Sequence, residues 1–383
     1  MRGRDPDESH RAATPLELLF DLCFVVAVAQ AGIALHHELA VGHLLEGALA
    51  FLMVFFAIWW AWMNFTWFAS AYDTDDVAYR LLTFVQIAGV LVIAAGVQRA
   101  FDGLDYATIT FGYLIMRIGL VALWVRAAIE HPEGRVTAWR FAIGVAALQV
   151  GWVARLIFLP ELGAVGFLPL VALELAVPVW AEHTSHPTPW HRGHIAERYG
   201  LFTIIVLGEC VLAASTAIQE AIGAGGLSLA LVVLAAGAFI LVAALWWAYF
   251  KHNAAEERTL REGSAFAWGY GHYVVFASVA ALGAALQVAA DRTHEAVAIT
   301  PLAAALAVAA PVATYLATTW LINASGRDLT FVAPVTLAIS GVLLAAVALG
   351  PLSVPLAVLA MGLIVATAVG VSAYRFSRAA APA

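Results

Sequence analysis

The residues of this 383-residue chain that could do chemistry are charged groups stranded in apolar sequence. Glu209 lies in GLFTIIVLGECVLAAS, Glu174 in LPLVALELAVPVW and Arg117 in FGYLIMRIGLVALW. A charge at the centre of a bilayer costs about 2.5–3.5 kcal/mol on insertion scales, so one that is kept faces the protein interior or a wet cavity and has a partner. At a rise of 1.5 Å per residue all three come out about 16 Å into their apolar runs, in one layer near mid-membrane. If they converge, two carboxylates around one guanidinium leave one negative charge in surplus, and a desolvated surplus carboxylate takes up a proton. Such a site loads and releases protons. The structural alternative is an Arg–Glu pair that locks helices together while the other acid stays protonated.

Other polar groups need separate readings. Thr14-Pro15-Leu16-Glu17 has the form of a helix-capping box with proline at the first helical position, which explains Glu17 structurally. Asp21 follows one turn later, about 9 Å into the helix, where no cap accounts for it. His272, in WGYGHYVVF, sits inside another apolar run and is either a proton shuttle or a satisfied interior histidine. His183, His186, His191 and His194 have spacings of three, five and three, but no cysteine accompanies them and Pro187 and Pro189 break the segment. They read as solvated histidines rather than metal ligands. No metal or cofactor is expected. Trp59, Trp60, Trp62, Trp67, Trp246 and Trp247 read as an interfacial belt, and Cys23 and Cys210 as buried thiols.

The elements that must position these groups are membrane helices. The chain is 63% hydrophobic and 12% charged, with a mean hydropathy of +0.88, far from soluble composition. Its net charge of -7 comes with no basic patch, which argues against nucleic acid as a partner. The polar start and the acids that follow argue against a cleavable signal peptide. Runs long enough to span a bilayer fall at 15–36, 45–68, 79–98, 106–129, 138–158, 162–182, 198–219, 226–250, 265–289, 297–322, 330–349 and 353–374. With the N-terminus cytoplasmic, fifteen of the nineteen Lys and Arg residues fall on the inner side and three on the outer, so both termini are expected in the cytoplasm.

The longest polar interruption divides the chain into a tail (1–14), a first six-helix half (15–182), a His-rich cytoplasmic loop (183–197), a second half (198–374) and a C-terminal tail (375–383). A shift of 187 residues lays Cys23 on Cys210 and Trp59-Trp60-Ala61 on Trp246-Trp247-Ala248, and a shift of 189 lays Gln98 on Gln287 and Asp102 on Asp291. The expected fold class is therefore an all-α integral membrane protein of about twelve helices, arranged as a 6+6 parallel pseudo-repeat.

Two stretches, TPLELLFDLCFVVAVAQ and HIAERYGLFTIIVLGECVLA, resemble the hallmark segments of the bacterial low temperature requirement protein A family. The matching positions are Thr14, Pro15, Glu17, Phe20 and Asp21 in the first, and His194, Glu197, Arg198, Gly200, Phe202, Gly208 and Glu209 in the second. Cys210 stands where the family leads one to expect serine. The resemblance implies a polytopic protein of the bacterial cell membrane linked to growth in the cold, and implies no particular reaction. Gly208 beside Glu209 would permit a close backbone approach or a local break in the helix.

Midplane acids in a 6+6 repeat point to a proton-linked secondary transporter, with Asp21, Arg117, Glu174, Glu209 and His272 along the pathway and Glu17, Glu197 and Arg198 in support. The expected partners are the lipid bilayer, protons and an unidentified small molecule. The alternatives are a membrane-embedded enzyme acting on a lipid or isoprenoid, and a non-catalytic membrane-adaptation protein. No HExxH, GxSxG or phosphate-loop pattern favours the enzyme. The charge bias predicts that cysteine probes placed in the loop 183–194 are labelled by a membrane-impermeant maleimide only from the cytoplasmic side; labelling from outside would reverse the topology.

Overall fold

A computed structural model describes residues 1–8, 11–103, 105–158, 163–223, 226, 228–250, 265–293, 297–323 and 332–379. The described residues form twelve helices and no strand: α1 (Pro15–Val41), α2 (Leu44–Tyr72), α3 (Val77–Gly103), α4 (Ala107–Glu130), α5 (Arg135–Phe158), α6 (Gly163–Glu182), α7 (Arg192–Gly223), α8 (Leu229–Phe250), α9 (Ala265–Asp291), α10 (Pro301–Asn323), α11 (Val332–Leu349) and α12 (Val354–Ala379). Eleven of these are long and apolar enough to cross a membrane; in α11 the described apolar stretch is Leu337–Leu349. Lys251, Arg258, Arg261 and Arg327, four of the fifteen basic residues expected on the inner side, lie outside the described residues.

Several helices overrun the apolar runs that reveal them. α7 starts at Arg192 rather than 198, taking in part of the expected loop, and α12 continues past 374 to Ala379. Hydropathy reports the greasy part of a helix, whereas the backbone keeps its hydrogen-bonded pattern through polar end turns. Local caps set some of the ends. At α10, the Thr300 hydroxyl accepts the Ala303 N–H at 3.2 Å and Pro301 takes the first helical position, where its missing N–H costs nothing.

The chain divides into two compact units, residues 1–31 with 50–198 and residues 32–49 with 199–383. In the first unit the polarity is inverted relative to a soluble protein. Glu17, Asp21, Arg117, Glu174 and Arg198 are at most 1% exposed, while Leu22, Val150 and Phe158 are 60%, 71% and 75% exposed. That is the distribution required when the solvent is hydrocarbon. Consecutive helices α3 to α6 pack on one another. α3 and α4 approach most closely at Gly89 and Gly112, where a Cβ on Gly112 would stand 2.7 Å from the Gly89 carbonyl oxygen. Small residues at a membrane helix interface allow this contact, since packing rather than hydrophobic burial holds such helices together.

The second unit is built in the same manner. α9 to α12 pack in sequence, and α8 lies along α12. Glycines again allow a close approach there: a Cβ on Gly362 would meet the Gly237 oxygen at 2.8 Å, and one on Gly237 would meet Leu359 Cα at 2.6 Å.

Candidate functional site

Most of the buried charges of the first unit fall into two networks that, among the described residues, have no hydrogen bond in common. The first joins α1, α2 and the start of α7. Arg198 donates from Nε and Nη2 to the two oxygens of Asp21, at 3.0 and 2.6 Å, and its Nη1 lies 3.0 Å from Glu17 Oε1. The two acids lie one turn apart on α1, so a single guanidinium reaches both. The Trp62 indole N–H adds a 2.7 Å bond to Asp21 Oδ1.

Glu17 is also the capping residue that the sequence indicates. Its carboxylate accepts the Thr14 N–H at 2.8 Å and its own N–H donates to the Thr14 hydroxyl at 3.3 Å, the reciprocal pair of a capping box. The same carboxylate lies 3.2 Å from His194 Nε2. The structural and functional readings of Glu17 thus describe one residue in two roles.

His194 overturns its sequence reading as a solvated loop residue: it is fully buried on α7. His191, half-buried, caps the same helix by accepting the His194 N–H on Nδ1 at 3.0 Å, and its Nε2 donates to the Glu8 carbonyl at 2.9 Å. Only His183 and His186 of the four are exposed. Hydropathy could not place His194, because the polar loop in the sequence ends later than the loop in the fold.

Arg11, in the N-terminal tail, escaped the sequence reading entirely. It is buried, donates to the carbonyls of Ala69, at 2.7 Å, and Ser70, and lies 3.9 Å from Glu17 and 3.8 Å from Asp73. Asp73, just beyond α2, is pushed above the usual carboxylate range, by burial first and by the negative Glu17 second, against the pull of the Asp75 N–H and Arg11. Two guanidiniums face three carboxylates in this region. Protonation of Asp73 relieves the surplus charge.

The second network surrounds Glu174 on α6. Trp60 and Trp152 donate indole N–H groups to its two oxygens at 2.7 and 3.0 Å, Gln149 adds a 3.5 Å contact, and Arg117 Nη2 lies 3.5 Å away. Arg117 donates to the Tyr113 hydroxyl and lies 4.4 Å from the centre of that ring. Arg117 and Glu174 come together as the depth argument suggests, as a balanced one-to-one pair. Asp21 belongs to the other network. Trp59, Trp60 and Trp62 are buried rather than interfacial, whereas Trp246 and Trp247, at 48% and 52% exposed, do lie on the surface. Depth along a helix is legible in sequence, but which way an indole faces is not.

In the second unit, Glu209 is half-buried near the middle of α7, and no hydrogen bond or ion pair to its carboxylate is found among the described residues. Its backbone lies on α9: a Cβ on Gly283 would stand 3.5 Å from the Glu209 carbonyl carbon, and Cys210 Sγ donates to the Val279 carbonyl at 3.5 Å. Gly208 makes neither a close approach nor a break, since α7 is continuous through it and nothing lies within 4 Å of its would-be Cβ. Glu197 is exposed. His272 is fully buried, with Nδ1 2.8 Å from the Trp268 carbonyl, to which it donates, so that Nε2, 2.9 Å from the Tyr249 hydroxyl, accepts. That is a satisfied neutral imidazole.

The chain matches the bacterial low temperature requirement A protein (LtrA) family over residues 12–373. It belongs to that family. It is also 25% identical over 294 residues to an uncharacterized protein of Rhizobium meliloti (strain 1021), covering 73% of this chain and 69% of the relative. No solved structure matches significantly. Within this LtrA protein the two hallmark segments supply the first network: Thr14, Glu17 and Asp21 from one, His194 and Arg198 from the other.

Removing Arg198 leaves Asp21 buried without a counter-charge and Glu17 with the more distant Arg11. Arg198→Ala is expected to destabilise the protein by about 3–5 kcal/mol, and adding Asp21→Asn to recover part of that loss because one orphaned charge disappears. Thermal melting of the detergent-solubilised single and double variants reads both effects; equal melting points for wild type and Arg198→Ala would show that the pair does not hold α1 to α7.

Proposed function

We propose that this LtrA protein is a proton-linked secondary transporter of the cytoplasmic membrane, with both termini in the cytoplasm, and that Glu209 is its proton-carrying acid. The observation that carries this reading is the contrast among the membrane acids. Glu17, Asp21 and Glu174 are each tied to a guanidinium, and Asp21 and Glu174 also to indole donors. Glu209 has no such tie among the described residues. A carboxylate held in a multiply bonded ion pair cannot exchange its proton without breaking the pair. An acid without a cation beside it can bind and release one as its surroundings change from apolar to wet, which is what alternating access provides.

In this reading the Arg198 and Arg117 networks are the frame against which the carrier residue works. The approximate recurrence of sequence between the halves is in keeping with a parallel repeat, the plan of many carriers. His272, satisfied on both nitrogens, serves as packing rather than as a relay.

Glu209→Gln keeps size and hydrogen-bonding capacity while fixing the group neutral. It is expected to fold and insert normally yet fail to restore low-temperature growth to a strain lacking its own family member, at every external pH tested. Growth equal to wild type across that range would remove Glu209 from the mechanism.

A further inference from the structure

A groove of about 600 Å³ runs between α4 and α5, within the range of about 300–1,000 Å³ typical of small-ligand sites. Its walls are almost wholly apolar, formed by side chains such as Ile118, Val121, Val150 and Ile157, and its two polar lining residues are Arg117 and Gln149. Ile118, Val150 and Ile157 are 59%, 71% and 61% exposed, so the groove opens sideways, toward the position of lipid. Arg117 itself is 1% exposed.

The guanidinium is incompletely satisfied. Its hydrogen bond goes to Tyr113, Glu174 stands 3.5 Å away and is served by Trp60, Trp152 and Gln149, and Arg117 Nε and Nη1 have no acceptor among the described residues. A buried cation with unused N–H groups is costly unless an acceptor completes it. One cation in the wall of an apolar, laterally open groove is complementary to a molecule with one negative charge and one hydrocarbon chain.

We propose that the α4–α5 groove binds a long-chain fatty acid from the bilayer, its carboxylate on Arg117 and its chain along the apolar walls. A single carboxylate fits better than a phospholipid headgroup, because Glu174 already neutralises the pair and each further negative charge adds to the desolvation cost. The site does not rest on proton transport: it can be occupied whether or not Glu209 carries a proton.

The test is photolabelling of the full chain in zwitterionic-lipid nanodiscs with a diazirine-bearing palmitic acid and with its methyl ester, followed by peptide mapping. The expected result is labelling of the 114–158 segment with a preference for acid over ester on the order of tenfold, the scale of a charge-assisted hydrogen bond. Arg117→Gln should erase that preference. Val150→Trp, at a lipid-facing position, should fill the groove and reduce labelling by the acid without disturbing the fold. If Arg117→Gln fails to fold, the wild-type ratio and Val150→Trp still decide. Equal labelling by acid and ester in wild type, which marks ordinary annular contact, would overturn the proposal, as would a preference undiminished by Val150→Trp.

Discussion

Everything in this fold answers to the cost of a charge in hydrocarbon. Arg198 is the clearest case. Placed alone in a membrane helix it would be expelled, but between Asp21 and Glu17 it joins the first turns of α7 to the first turns of α1. The attachment then constrains its neighbours. Glu17 must stay at the helix start to cap it, Trp62 must turn its indole inward to Asp21, and the N-terminal tail must return to deliver Arg11. Side chains from widely separated parts of the sequence are fixed by one requirement, that no charge be left without a partner.

The Arg117–Glu174 pair meets the same requirement differently. Its carboxylate is surrounded by neutral donors, two indoles and an amide, while the guanidinium keeps nitrogens without acceptors among the described residues. In the first network every Arg198 nitrogen faces a carboxylate of the network itself, although Nη1 meets Glu17 as an ion pair without hydrogen-bond geometry. The second has spare capacity on the cationic side, beside a groove that an amphiphile can enter. Glu209, in the other unit, is outside both kinds of arrangement. The proposed division of labour, fixed pairs as frame and Glu209 as carrier, follows from that difference.

How much of this was legible in the sequence depended on whether the signal was local. The capping box at Thr14–Glu17, the helical class and the mid-helix positions of Arg117 and Glu174 follow from spacing and hydropathy, and all are present in the structure. Side-chain direction was not legible. Trp60 and Trp62 are two residues apart on one helix and serve different acids, which no pattern along α2 announces. His194 and Arg198 looked like loop and helix-start residues because the apolar run begins at 198, although α7 begins at Arg192. Arg11 was invisible as a site residue, since a charge in a polar tail has no reason, in sequence, to be buried.

The central claim is that Glu209 changes its protonation while the paired acids do not. Infrared difference spectroscopy of the protein in lipid, titrated across pH, measures it directly through the carbonyl stretch of a protonated carboxylic acid. The account predicts a titrating band in the wild type that is missing in Glu209→Gln and unchanged in Glu174→Gln. A titrating band that survives in Glu209→Gln, with no difference from wild type, would contradict it.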